Sequence, residues 1–173
     1  MKTELKAKFL EHILGKKKEN EGFTLIELLV VIIIIVILSA IALPSFLNQA
    51  AKAKQSEAKT YVNSVNKAQQ SYRIKNTSFA TTFDQLKIGI PSSTDFYNYT
   101  IPSADVNSTV VLATTKDPSS LKGFSGGVVI LTTGQTEAIA CQTTGVQTGT
   151  SVAAPNLSTT PNTSACTGLE KMK

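Results

Sequence analysis

Apolar and polar positions divide the chain into three stretches, each with its own period. From Leu28 to Leu43 the sequence LLVVIIIIVILSAIAL carries no charge and a single hydroxyl, Ser39. Counted from Phe23, the segment spans about 31 Å as a helix, one hydrocarbon core of a bilayer. The β-branched run Val30 to Ile37 also suits a buried strand, but strands are neither that long nor that uniformly apolar. The pattern predicts a transmembrane helix over residues 23–43.

Past Pro44 the apolar positions thin out and recur at three- and four-residue steps: Leu47, Ala50, Ala51, Ala58, Tyr61, Val62, Val65, Ala68 and Tyr72. Lys52, Lys59, Asn63 and Lys67 fall elsewhere around the helix, so the same helix is expected to continue with one apolar stripe. Pro44 removes one backbone donor and predicts a kink. Asn76-Thr77-Ser78 reads as the stop. Such a helix, from about Leu25 to Lys75, is about 75 Å long, and half of it has no partner within one subunit.

The remainder, residues 77–173, has strand character. Thr77 to Ser93 reads as a connecting loop, with Phe79, Phe83, Leu86, Ile88 and Ile90 tucking back onto the helix. Strands are expected at Phe96–Ile101, Thr109–Thr114, Gly127–Thr132 and Glu137–Gln142, separated by Asp117-Pro118, Gly123, Gly126 and Thr133-Gly134. From Gln142 to Ala165 the chain is rich in Thr, Ser, Gly and Pro, a loop composition. The expected fold class is α+β, a long helix packed on a small antiparallel sheet of about four strands.

Composition narrows the function classes. Charged residues make up 17% of the 173, with 17 cations against 12 acids for a net charge of +5. That excludes a disordered charged tail and a DNA-coating protein of high charge density. His12 is the single histidine, which excludes a His-rich zinc site and speaks against a Ser-His-Asp triad. Asp84, Asp95, Asp105 and Asp117 lack metal-ligand spacing, and Gly123 to Gly127 lacks the Lys-Ser/Thr ending of a phosphate loop. No catalytic residue, metal or cofactor is expected. Lys116 and Lys122 are too few and too separated to support nucleic acid as a partner. The Asn-x-Ser/Thr matches at Asn76, Asn98, Asn107, Asn156 and Asn162 follow from the abundance of these residues.

Positions 1–22 carry six lysines against four glutamates, with Leu5, Phe9, Ile13 and Leu14 on one helical face and Gly15 ending it. A basic stretch before an apolar run is the outline of an export signal. Ala40-Ile41-Ala42 offers a small-x-small site that would release a soluble secreted protein beginning at Leu43. Pro44 beside that bond and the carboxylate of Glu27 at the mouth of the apolar core are both awkward for this reading.

The boundary sequence Gly22-Phe23-Thr24-Leu25-Ile26-Glu27-Leu28-Leu29 resembles the class III signal of type IV prepilins and their pseudopilin relatives. The resemblance is close over residues 15–76 and extends to the rest only in layout. PSFLNQAAKAKQSEAKTYV, from Pro44 on, is most similar to cyanobacterial pilins, among which long leaders like this one are common. The resemblance implies that a prepilin peptidase removes residues 1–22 after Gly22 and that the new amine of Phe23 is methylated. It further implies single-pass storage in the inner membrane among its lipids, then assembly by membrane machinery into a helical homo-oligomer, an extracellular pilus. Motility, adhesion and DNA uptake are the family's roles. A pseudopilin of a type II secretion system or a minor pilin would carry the same signal.

In this resemblance Glu27, at the fifth mature position, pairs with the amine of Phe23 in a neighbouring subunit. A carboxylate at the centre of a membrane helix costs ~2.5–3.5 kcal/mol, less near the interface, and such a residue points to function. Glu27 lies about 6 Å of helix rise from the new N-terminus. A buried pair there fixes register more than it adds stability. The competing reading is a glutamate snorkelling to the headgroups. At Val36 many family members carry glycine, so local melting there is not supported for this chain. Cys141 and Cys166 bracket the loop-like stretch and resemble the C-terminal disulfide loop of many pilins, here 141–166.

Overall fold

The computed structural model describes residues 24–172. The expected leader, its cleavage after Gly22 and the methylation of Phe23 lie outside the described residues. Helix α1 runs from Leu25 to Lys75 without interruption, with Pro44 inside it. Arg73 and Lys75 lie in its last turn, where cations favour the negative end of the helix dipole. Asn76 then ends it: its Nδ2 donates to the carbonyl of Tyr72 at 2.8 Å, in place of the next backbone N–H. Arg73 Nη1 donates to the Asn76 carbonyl at 2.9 Å and holds that stop.

Two compact units divide between Phe46 and Leu47. In the first, every large apolar side chain from Leu25 to Phe46 is exposed. The second unit joins the rest of α1 to the sheet. There Ala58, Val62 and Val65 are fully buried, and Asn66 and Gln69 are buried with them. Leu47, expected on the buried stripe, is exposed, and Ala50 and Ala51 are only partly covered. Burial begins where side chains of the sheet reach the helix.

The sheet is an antiparallel meander in the order β1-β2-β3-β4-β5. Its strands are β1 Tyr97–Ala104, β2 Ser108–Thr115, β3 Phe124–Ile130, β4 Thr136–Gln142 and β5 Glu170–Lys171. Four correspond to the expected strands. The fifth is only Glu170 and Lys171, too short to have a period that a sequence could show. β1 continues past Pro102 because the register shifts between Thr100 and Ser103, and an edge strand with a bulge tolerates a residue that lacks an N–H.

Strand β3 starts earlier than expected, at Phe124, and carries Gly126 and Gly127 inside it. These glycines mark close approach, not a turn. A Cβ on Gly126 would meet Val62 Cγ1 at 2.6 Å and Asn66 Oδ1 at 2.8 Å, both on α1. A Cβ on Gly127 would meet Leu157 Cδ2 at 2.8 Å, in the C-terminal loop. Successive residues of a strand point to opposite faces. β3 is therefore covered by the helix on one face and by residues of the C-terminal segment on the other, and all of Phe124–Val129 is buried.

Polar side chains on α1 lock the sheet and its connection in place. Gln69 Nε2 donates to the Ala80 carbonyl at 2.8 Å while its Oε1 accepts from the Ala80 N–H at 2.9 Å, a side chain acting as a strand partner. Asn66 Nδ2 donates to the Ile139 carbonyl at 3.0 Å, and Arg73 Nε to the Val106 carbonyl at 3.2 Å. Phe79 and Leu86 are buried beneath the connection, as the sequence suggests, while Phe83, Ile88 and Ile90 pack at the core's margin. The connection also holds a one-turn helix, α2, Phe83–Leu86, closed by Lys87 in the left-handed region.

Candidate functional site

The residues with expected roles occupy three places. Gly22 and Phe23 lie outside the described residues. Glu27 sits in the first turn of α1, and Pro44 lies on the same helix, about 25 Å of rise further on. Cys141 and Cys166 meet in a disulfide with Cα atoms 5.6 Å apart.

Thr24 and Glu27 form a closed pair at the start of the helix. The Thr24 N–H donates to Glu27 Oε2 at 2.8 Å and the Thr24 hydroxyl to the same oxygen at 2.7 Å. In return the Glu27 N–H donates to Thr24 Oγ1 at 3.3 Å. This is a capping box, which satisfies donors that the first turn leaves without intrahelical partners. Its Thr-x-x-Glu spacing is present in the sequence, where the lone carboxylate overshadows it. Glu27 therefore has a local partner within its own chain, and its Oε1 accepts none of these bonds.

After this cap comes an unbroken apolar surface. Within α1 lies a stretch long and apolar enough to cross a bilayer, none of it buried inside the chain. Such a surface is unstable in water and needs lipid or other apolar chains around it.

Among the described residues no three His, Cys, Asp or Glu side chains gather where they could hold a metal. Burial raises Tyr97 and Tyr99 far above the ordinary phenol range, so both remain neutral core residues. Their rings stack in a series: Tyr61 lies 5.2 Å from Tyr99, and Tyr97 lies 6.0 Å from Phe124. The Asp117 carboxyl is lowered from its usual value, first by the Ser119 hydroxyl at 2.6 Å and then by Ser120. The disulfide is continuous with other ties at the C-terminus. Lys122 Nζ pairs with Glu170 at 2.7 Å, and the Met172 N–H donates to the Ala140 carbonyl at 2.9 Å.

A long helix with a bare apolar first half, a meander packed on its second half and a disulfide-closed C-terminal loop define a pilin-like protein. The chain belongs to the type IV pilin family: residues 55–167 match the model described as "Type IV pilin-like G and H", and residues 17–43 match the prokaryotic N-terminal methylation motif. It is 34% identical over 110 residues to the type IV wide pilus major component PilA4 of Thermus thermophilus, covering 63% of this chain and 77% of that one. It is 39% identical over 85 residues to the type IV major pilin PilA of Myxococcus xanthus, covering 49% of this chain and 38% of that one. To the type II secretion system core protein G of Vibrio cholerae it is 31% identical over 82 residues, 47% of this chain and 56% of the relative. The chain thus spans most of the first relative but only part of the other two. It is a structural protein, not an enzyme. Family and helix together support a place in the inner membrane and then in the extracellular pilus.

Proposed function

We propose that the chain is the subunit of a type IV pilus, made as a prepilin and cut after Gly22 by a prepilin peptidase. Phe23 becomes the N-methylated first residue, and residues 23–43 hold the mature chain in the inner membrane as a single span. Assembly machinery then transfers it to a helical filament of identical copies. One observation carries this reading: the large apolar side chains from Leu25 to Phe46 are all exposed, so they need lipid before assembly and copies of themselves afterwards. In the filament Glu27 receives the amine of Phe23 from a neighbouring subunit, and the Thr24 cap leaves Oε1 open to it. The charged amine survives methylation, so the pairing does too. The filament serves motility, adhesion or DNA uptake. Kinship with cyanobacterial pilins rests on the segment from Pro44 and the long leader alone.

The similarity to core protein G favours a second reading, a pseudopilin of a type II secretion system. A minor pilin is compatible with the same family match. Abundance in filaments sheared from the cell surface marks a major pilin. A secretion defect in a deletion strain, without such filaments, marks a pseudopilin.

Mass spectrometry of the mature N-terminus tests the processing step. N-methyl-Phe23 supports it, whereas an N-terminus at Leu43 would assign the chain to secreted soluble proteins. Gly22→Val should leave an unprocessed membrane precursor and no filaments, because a side chain there crowds the peptidase. Mature protein of normal size from that variant would refute the cleavage site.

A further inference from the structure

Charge is segregated within the second unit. From Leu47 to Lys75 the helix carries six cations and one acid, a net of +5. From Asn76 to Met172 there are four cations and six acids, a net of −2. On the helix, Lys54 lies over the Phe96 ring at 4.6 Å and Arg73 is occupied with the Val106 and Asn76 carbonyls. The side chains of Lys52, Lys59 and Lys67 make no ion pair or hydrogen bond among the described residues. At seven- and eight-residue spacings they fall within an arc of about 80°, centred away from the buried Ala58, Val62 and Val65, and along about 22 Å of helix. None of them has an acid three or four residues away to neutralise it.

The acids divide in the same way. Asp105 accepts from the N–H groups of Asn107 and Ser108, Asp117 from Ser119, and Glu137 from the Asn162 N–H. Glu170 is paired with Lys122. Asp84 and Asp95 are both exposed in the connection between α1 and β1, and their carboxylates have no partner among the described residues. Among the described residues, one chain therefore presents lysines without ion pairs along one surface, Lys52 and Lys67 exposed and Lys59 half-buried, and two carboxylates without ion pairs on another, with Lys87 three residues from Asp84.

We propose that Lys52, Lys59 and Lys67 form a docking surface for the α1–β1 connection of a second copy, which presents Asp84 and Asp95. The inference rests on the filament reading and adds the polar contact that sets one head against the next. Copies joined head to tail use two different patches of the same chain, and complementary charge on those patches is what such a contact requires. Without opposing acids, lysine stripes brought side by side by the apolar helices would repel one another. A nucleic acid is the poorer occupant. The lysines stand about 10 and 12 Å apart, with no arginine or aromatic side chain between them on the stripe.

Charge reversal and its compensation test the surface in the full-length chain. Lys59→Glu with Lys67→Glu should lower the yield of sheared filaments about tenfold, because each contact becomes repulsive. Adding Asp84→Lys and Asp95→Lys to the same chain should restore the yield to within about twofold, since reversing both partners makes the patches complementary again. An unchanged yield in the first variant, or no recovery in the second, overturns the proposal. Carbodiimide treatment gives a second measurement on wild-type chains, joining a lysine amine to a carboxylate only where they touch. Cross-links between Lys59 or Lys67 of one copy and Asp84 or Asp95 of another support the contact, and their absence from filaments overturns it. If wild-type cells make no filament, the filament reading fails by itself, and cross-linking between full-length chains in the membrane then decides the surface separately. Binding of a double-stranded DNA oligonucleotide that Lys59→Glu/Lys67→Glu abolishes, with filament yield unchanged, would reassign the stripe to nucleic acid.

Discussion

Gly126 of β3 lies directly beneath Val62 of α1, with only 2.6 Å between the Val62 Cγ1 and the place a Cβ on Gly126 would occupy. That spacing sets how closely helix and sheet pack, and it explains why a glycine stands in the middle of a buried strand. Gly126→Ala should push the helix outward and destabilise the head by about 1–3 kcal/mol, the usual penalty of overpacking. Urea unfolding of the purified chain measures this. Gly145→Ala is the control, because nothing lies within 4 Å of its Cβ position. Equal stability of the two variants would mean that the helix yields without cost.

Gln69 substitutes for a backbone strand by satisfying both the N–H and the carbonyl of Ala80, which is itself fully buried. Gln69→Ala should strand both groups, at about 1–3 kcal/mol for each. Hydrogen exchange should then speed up at the Ala80 amide first. Unaltered protection at that amide would show that another group takes over the bond.

The disulfide closes a loop over a sequence separation of 25 residues. The loop packs Leu157 against Gly127, but most of its remaining residues are polar and exposed. Cys141→Ser should therefore destabilise the head by roughly 3–4 kcal/mol on the chain-entropy account. Limited proteolysis should cut between positions 142 and 165 in the variant and spare the wild-type chain. Thiol labelling of exported protein without reductant checks the bond, and reaction at both cysteines would mean that it does not form in the cell.

Glu27 makes the observed cap with Thr24 and carries the proposed ion pair, and two substitutions separate them. Glu27→Gln keeps an oxygen to accept from the Thr24 N–H but removes the charge, whereas Glu27→Leu removes both. On the proposed role both variants should insert and be processed, and both should fail to enter filaments. Filaments from Glu27→Gln equal to wild type, with none from Glu27→Leu, would make the cap, not the ion pair, the requirement for assembly.

Asp117 makes a modest contribution to acid stability. Its carboxyl is held below the ordinary value of 3.8 by the Ser119 and Ser120 hydroxyls. A lowered carboxyl stabilises the folded chain above that ordinary value and loses its effect as pH falls through the folded one. Asp117→Asn should thus flatten the fall in urea midpoint below about pH 4. An identical acid limb in both proteins would show that the turn at Asp117 opens independently of the head.

Much of the architecture is written in one-dimensional pattern. The bounds of α1 follow from an apolar run, a three-to-four stripe and an Asn76 stop, and all three act within a turn or two of the chain. The strands from Tyr97 to Gln142 announce themselves by local composition, and the motif from Gly22 to Glu27 identifies the family because it is contiguous. Tertiary contact decided the rest. Gly126 reads as a turn residue in sequence and Gly127 as the start of a strand, yet both lie inside β3. What they accommodate is distant in the chain: Val62, far upstream on α1, and Leu157, well downstream in the C-terminal loop. Gln69 and Asn66 look like ordinary polar helix positions until Ala80 and Ile139 are brought beside them. Leu47 fits the apolar stripe yet stays exposed, because period shows which face of a helix is apolar and not how far along it the sheet extends. Local order depends on neighbours in the chain, which the sequence displays. Close approach and long-range hydrogen bonds depend on neighbours in space, which exist only once the chain has folded.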